Sequence, residues 1–301
     1  MQQRPFDAPV TVEGPERAPR QMLAEQTYGG HASLHDESTA DSLGLSGAPI
    51  EGPTHFSQFD PLAHLLWGDA WFERGCISAH FRTMVVEGEG VTARATRTGS
   101  ARADISAAKA DGSPVLAGSI TLGPDVPTAL DERRAKLGDP GELFIVDQLA
   151  VGDRRGPVTS SVDLTTPNGD LYPFSLEQKL DAITEPSDWY RAEDNPWGRP
   201  ILPMEMVSVL TQKVGADFPV RGPSVGLFLD LEVKLVAGPI FVGHEYVLER
   251  EVVALGQSRR TESSWVRTDV TDAESGDLVA HVLLHSGVFK ESYAGYPADR
   301  L

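Results

Sequence analysis

GPTHFSQFDPLAHLLWGDAWF, residues 52–72, sets Phe56, Phe59, Leu62 and Leu66 at steps of three and four, the spacing of one apolar helical face. Gly52 and Pro53 stand where an N-cap and a first helical residue belong. Pro61 lies inside the span and predicts a kink or a split into two short helices. Four strand-like segments follow: CISAHFRTMVVEG (76–88), GVTARATRT (90–98), SARADISAAKADG (100–112) and SPVLAGSITL (113–122). Gly88-Glu89-Gly90, Gly99-Ser100 and Asp111-Gly112 punctuate them as turns.

The same order recurs downstream. ILPMEMVSVLTQKVGADF (201–218) carries Leu202, Met206, Val209, Leu210 and Val214 at helical spacing and is apolar on much of its circumference, which predicts a buried helix. SVGLFLDLEVKLVAG (224–238) then alternates cleanly at Leu227, Leu229, Leu231, Val233 and Leu235. HEYVLEREVVALG, TESSWVRTDVTDAESGD and LVAHVLLHSGVFK complete a second run of four, read as an antiparallel meander. A fifth strand is expected ahead of each helix, at 8–13 (APVTVE) and 143–151 (LFIVDQLAV), with a linker around 122–142. The domain reading is therefore 1–125, a linker at 126–142, and 143–301. Two sheets that each wrap a helix and join edge to edge would hide exposed strand edges and make a pseudo-dimer within one chain.

Composition narrows the function classes. The 301 residues are 40% hydrophobic and 23% charged, enough for a large globular core. A formal net charge of -18 opposes nucleic acid and anionic membrane. The single cysteine, Cys76, cannot form an internal disulfide and reads as a small core residue. The opening MQQRPFDAPVTVEG has no apolar h-region, and no run approaches the ~20 apolar residues of a membrane span. The expectation is a cytoplasmic protein.

The polar segment YGGHASLHDESTADSLGLSGAPIEGPT (28–54) precedes the first helix. It resembles the catalytic loop of the MaoC-like, or (R)-specific enoyl-CoA hydratase, family, in which G-D-x-N-P-L-H is followed by D-x-x-x-A-x-x-x-G-[FL]-x-x-P-I and a helix-opening glycine. Leu34-His35, Ala40, Gly44-Leu45, Pro49-Ile50 and Gly52 match, the last with a one-residue shortening. The resemblance implies an α+β double hotdog fold and action on an acyl thioester. It also shows a departure. The family's catalytic Asp position is Gly30, and its Asn and Pro positions are Ala32 and Ser33. The second loop (181–203) keeps G-R-P-I, has no histidine, and resembles the halves of double hotdog hydratases that cover substrate without doing chemistry.

Hydration of an enoyl thioester needs a base, an acid and a donor to the enolate oxygen. His35 is the candidate base, because an imidazole suits proton transfer near neutrality. Glu51 and His31 are the candidates to replace the missing carboxylate. Gly52 is placed to present a helix-terminal N–H to substrate. His55 would face the same pocket, and Trp197 and Arg199 would contact ligand from the second loop. Asp36 reads as a cap for a short helix in the loop. His31 and His35 have the spacing of two metal ligands on one helical face, but no third ligand accompanies them, so no metal and no separate cofactor is expected. Coenzyme A or a carrier protein would enter as part of the substrate, and a homodimer is compatible. Three alternatives stand beside a hydratase or dehydratase: an altered reaction on the same scaffold, such as isomerisation or cyclisation of a bulky substrate, because Gly30 replaces the Asp; a hotdog thioesterase using Glu51 or Asp60; and a non-catalytic acyl-binding pseudo-dimer.

Overall fold

A computed structural model describes residues 10–27, 29–215 and 218–301. Ten strands, β1 (Thr11–Glu13), β2 (Gly75–Phe81), β3 (Val91–Arg97), β4 (Arg102–Lys109), β5 (Pro114–Leu122), β6 (Arg154–Ser160), β7 (Gly226–Leu235), β8 (Tyr246–Gln257), β9 (Thr261–Asp272) and β10 (Leu278–Phe289), form one sheet. Its order is β1-β3-β4-β5-β2-β7-β10-β9-β8-β6. The two halves join where β2 and β7 run antiparallel, with Ile77 opposite Val233 and Ala79 opposite Leu231.

In each half only three of the four expected strands form a meander. The strand after the helix leaves its sequence neighbour and pairs with the last one, β2 with β5 and β7 with β10. That puts β2 and β7 at the centre of the sheet. The first five residues of β2 are buried on both faces, which a position at the rim of a half-sheet would not provide.

The α-helices among the described residues are α1 (Glu37–Ser42), α2 (Asp60–Trp67), α3 (Ala70–Arg74), α4 (Ala129–Arg134), α5 (Leu176–Ala182) and α6 (Met204–Gln212). The expected split at Pro61 is present. Gly52–Phe59 is a 3-10 helix and α2 starts at Asp60, so Pro61 falls in the first turn, where its missing N–H costs nothing. The 3-10 segment packs against α6 at the core. Phe56 and Phe59 are fully buried there, each stabilising by roughly 1.5–3 kcal/mol.

Two regions differ from the sequence reading. Residues 143–151 are not a strand; the strand of this half is β6. The N–H groups of Phe144, Ile145 and Val146 all donate to the buried carboxylate of Glu262, at 2.9, 2.7 and 3.2 Å. A backbone bound to one carboxylate cannot pair in a ladder. The linker carries α4, opened by a capping box in which Thr128 and Asp131 exchange hydrogen bonds. It packs on β2, β5 and β7, burying Leu130 completely. Arg133 Nε meets Asp230 at 2.9 Å, and Thr128 donates to Glu232 at 2.6 Å. Charged residues on the outer face of β7 thus acquire partners. No helix among the described residues is long and apolar enough to cross a membrane.

Candidate active site

A cavity of ≈ 840 Å³ lies between the polar loop, the 3-10 entrance and the second half of the sheet. Leu227, Phe228, Val266, Leu284 and Val288 give it an apolar wall. Its polar wall includes His31, His35, Glu51, Gly52 and His55, so five of the seven residues singled out by sequence share one space.

His35 lies just ahead of α1. Asp36 caps that helix by accepting from the Thr39 N–H, which fixes where the preceding loop ends. His35 Nδ1 is 2.7 Å from the Pro49 carbonyl. A carbonyl only accepts, so Nδ1 carries the proton and Nε2 holds the lone pair. Burial pushes the imidazole below its ordinary value, against the opposing pull of the Pro49 bond. The result is a neutral ring held in one tautomer.

Glu51 is the N-cap residue of the 3-10 helix, but its side chain makes no capping bond. The residue lines the cavity. Burial raises its carboxyl to about 7; Lys179 opposes, Glu205 adds to the rise, and a Tyr172 hydrogen bond opposes. These neighbours come from the second half. Ser175 and Gln178 form a capping box that opens α5, and α5 delivers Lys179 inward. Lys179 Nζ donates to Thr54 at 2.9 Å and lies 3.2 Å from Glu205 Oε2. Both partners of that ion pair are buried. Neither Glu205 oxygen has a well-directed hydrogen bond among the described residues, and burial raises its carboxyl too.

The two helix entrances correspond. Ile50 N–H bonds to Val85, as Leu202 N–H bonds to Ile240. One residue further on, Glu51 and Pro203 are the N-caps, at φ −64° and −63°. Gly52 therefore corresponds to Met204. The Met204 N–H donates to Asp60 Oδ2 at 3.3 Å, whereas the Gly52 N–H takes no acceptor among the described residues. The first entrance keeps a carboxyl and a free donor at the cavity; the second has a proline and a donor already used. A Cβ on Gly52 would sit 2.9 Å from the Phe81 ring, so only glycine fits without moving that ring.

His55 is buried, its Nδ1 lacks a partner among the described residues, and burial with Lys179 and Lys109 lowers it to about 4. It lines the cavity as a neutral ring. His31 Nδ1 is 3.1 Å from Ser224 Oγ, so the two loop histidines go to different partners, and both precede α1 rather than lying on a helical face. Gly30 does not line the cavity; its φ is +88° and a Cβ there would meet nothing within 4 Å.

Trp197 and Arg199 are not brought to this cavity. Trp197 packs edge-on against Phe72 and Trp189 and donates to Glu73 at 3.3 Å. Arg199 lies over Phe241 and contacts His244. The second loop folds over the outside of α3 instead of the pocket mouth, because its aromatics find apolar partners there. Tyr172, Lys179 and Glu205 were missed. A glutamate inside the otherwise apolar MEMVSVL, and the S-x-x-Q box ahead of Lys179, were the available signals.

No protein-family model matches the chain, and no curated protein matches it. Solved structures do. A Chloroflexus aurantiacus J-10-fl protein provisionally named a MaoC domain dehydratase aligns with 94% of this chain and 95% of its own, at TM-score 0.58 and 15% identity. A conserved Mycobacterium tuberculosis protein of unassigned function, described as a double hotdog fold, aligns over 94% and 97%, at TM-score 0.58 and 11% identity. At such identities the likeness is one of architecture, and it agrees with two helix-wrapping half-sheets joined at β2 and β7: the chain has the double hotdog fold.

Proposed function

We propose that the chain adds water to a 2-enoyl thioester, or removes it from a 3-hydroxyacyl thioester, in the cavity at the first helix entrance. The observation that carries this reading is the convergence of three groups on one space: a neutral imidazole, a carboxyl and an unused backbone N–H.

In the hydration direction His35 Nε2 takes a proton from water, and the water oxygen bonds to the β-carbon. The double-bond electrons move toward the thioester carbonyl. The Gly52 N–H supports the enolate oxygen that develops there. The carboxylic acid of Glu51 gives its proton to the α-carbon as the carbonyl re-forms. One water is added, and the proton left on His35 returns to Glu51 through solvent. The reverse sequence is dehydration. The apolar wall suits an acyl chain, and ≈ 840 Å³ lies toward the large end of small-molecule sites, which favours bulky or long acyl groups. Coenzyme A or a carrier protein would hold the thioester.

The test is to follow the conjugated enoyl-thioester absorbance with purified protein and acyl groups of graded bulk. The absorbance should fall, and His35→Ala should slow the change by about 10²–10⁴-fold. Wild-type protein that leaves every such thioester untouched overturns the reading. Glu51 at a helix entrance also favours a second reading, hydrolysis of the thioester. Release of free thiol, dependent on Glu51 and not on His35, would establish that instead.

A further inference from the structure

The second half has no histidine in its loop and a proline where the first half has Glu51, yet it supplies the surroundings of Glu51. We propose that Tyr172, Lys179 and Glu205 are positioning residues that set the protonation state of Glu51, Glu205 favouring its proton and Lys179 and Tyr172 opposing it, so that one half of the pseudo-dimer tunes the acid of the other. This rests on the reading of Glu51 as the acid in hydration and deepens it.

The geometry is a matter of charge and supply of donors. The buried ammonium of Lys179 lies 3.2 Å from Glu205 and donates its directed bond at 2.9 Å to Thr54, three residues after Glu51, and the charges of Lys179 and Glu205 both act on the Glu51 carboxyl. One cation cannot neutralise two buried carboxylates, and an uncompensated buried charge is expensive. The least costly remedy is for one carboxyl to keep its proton. Glu51 is the one that lines the cavity, so a retained proton there is available to a ligand. Tyr172 is buried and its hydroxyl is the hydrogen-bond partner of Glu51; it orients the carboxyl and receives it again as a carboxylate after proton transfer.

The other charged or titratable groups facing this cluster do not supply the missing cation. His55, on the 3-10 helix, is held neutral near the same ammonium. Lys109, on β4, is paired with Glu89 at 2.6 Å. Asp60, on α2, adds a third carboxyl, whose oxygens are occupied by Trp71, Tyr190 and Met204. His35 has its donor on Pro49. The excess of carboxyls over cations is therefore a property of the whole buried cluster and not of Glu51 alone.

The experiment titrates Glu51 itself. In full-length protein labelled with carbon-13 at the glutamate carboxyls, the Glu51 resonance is assigned by its loss in Glu51→Gln. Its midpoint is then measured in the wild type, Tyr172→Phe, Lys179→Met and Glu205→Gln, beside the alkaline limb of kcat/KM. The wild-type midpoint is expected at about 7. Tyr172→Phe and Lys179→Met should move it up, and Glu205→Gln should move it down, with the alkaline limb following in each. Tyr172→Phe and Glu205→Gln keep the test decisive should Lys179→Met not fold. A wild-type Glu51 that titrates as an ordinary glutamate, or a midpoint that ignores Tyr172→Phe and Glu205→Gln in folded protein, overturns the proposal. A shifted Glu51 in a protein without hydratase activity leaves the coupling standing and overturns only the assigned reaction.

Discussion

The backbone N–H of Met204 donates to Asp60 Oδ2 at 3.3 Å, so a carboxyl of the first half closes the helix entrance of the second. Asp60 also accepts from Trp71 Nε1 at 2.9 Å and from the Tyr190 hydroxyl at 3.3 Å. Asp60→Ala leaves three buried donors without an acceptor. Its expected cost is about 3–5 kcal/mol in urea unfolding, with Asp60→Asn costing roughly 1–2 kcal/mol because one acceptor survives. Equal stabilities for the two variants would contradict this account of the second entrance.

His35 must be neutral to act as a base, and burial depresses its pKa. The acid limb of kcat/KM is therefore expected below the ordinary imidazole value of about 6.5, with activity lost as pH falls through it. His35→Ala should lower kcat by about 10²–10⁴-fold while near-UV and far-UV circular dichroism stay native. An acid limb that persists unchanged in a partly active His35→Ala protein would assign the base elsewhere.

The sequence was most legible where burial imposed a period. Phe56, Phe59 and Leu62 marked the first helix, and Leu231, Val233 and Leu235 marked β7, because one face of each is fully buried. Strand order was not legible, since the alternation in β2 and β7 does not say which neighbour each strand takes. Leu143 to Val146 misled because a buried apolar run satisfies the strand pattern whether its N–H groups meet a ladder or, as here, Glu262. In the site, His35, Glu51 and Gly52 lie within 18 residues of one another, so a motif could collect them. Tyr172, Lys179 and Glu205 reach Glu51 only through the folding of the second half, and no local spacing announces that.

Gly30, which the resemblance of the loop sets at an Asp position, has φ +88°, and a Cβ there meets nothing within 4 Å. Gly30→Asp is accordingly expected to add backbone strain, lowering stability by about 1–2 kcal/mol, and to leave kcat unimproved because position 30 does not line the cavity. A marked gain in hydration by this variant would show that the loop reaches the pocket in another arrangement.

Asp230 is fully buried on the outer face of β7, with His80 Nδ1 at 2.9 Å, His285 Nδ1 at 2.5 Å and Arg133 Nε at 2.9 Å. Burial alone would raise its carboxyl, but the bonds from His285 and His80 bring it down to about 2. A depressed carboxyl stabilises above its unfolded value and loses that contribution as pH falls through the folded one. Asp230→Asn should therefore cost about 2 kcal/mol at neutral pH, and the gap to wild type should shrink between roughly pH 4 and pH 2. A gap that is constant with pH would mean that His285 and His80 do not hold the Asp230 carboxyl down.

The chemistry assigned to the first entrance can be read directly from the mass of the product. Purified protein is given a 2-enoyl thioester in heavy-oxygen water, and the acyl thioester is weighed by mass spectrometry. The account predicts a 3-hydroxyacyl thioester that has gained one labelled water with its thioester bond intact, formed about 10²–10⁴-fold more slowly by His35→Ala. Recovery of the enoyl thioester unchanged, or of a labelled free acid, would contradict it.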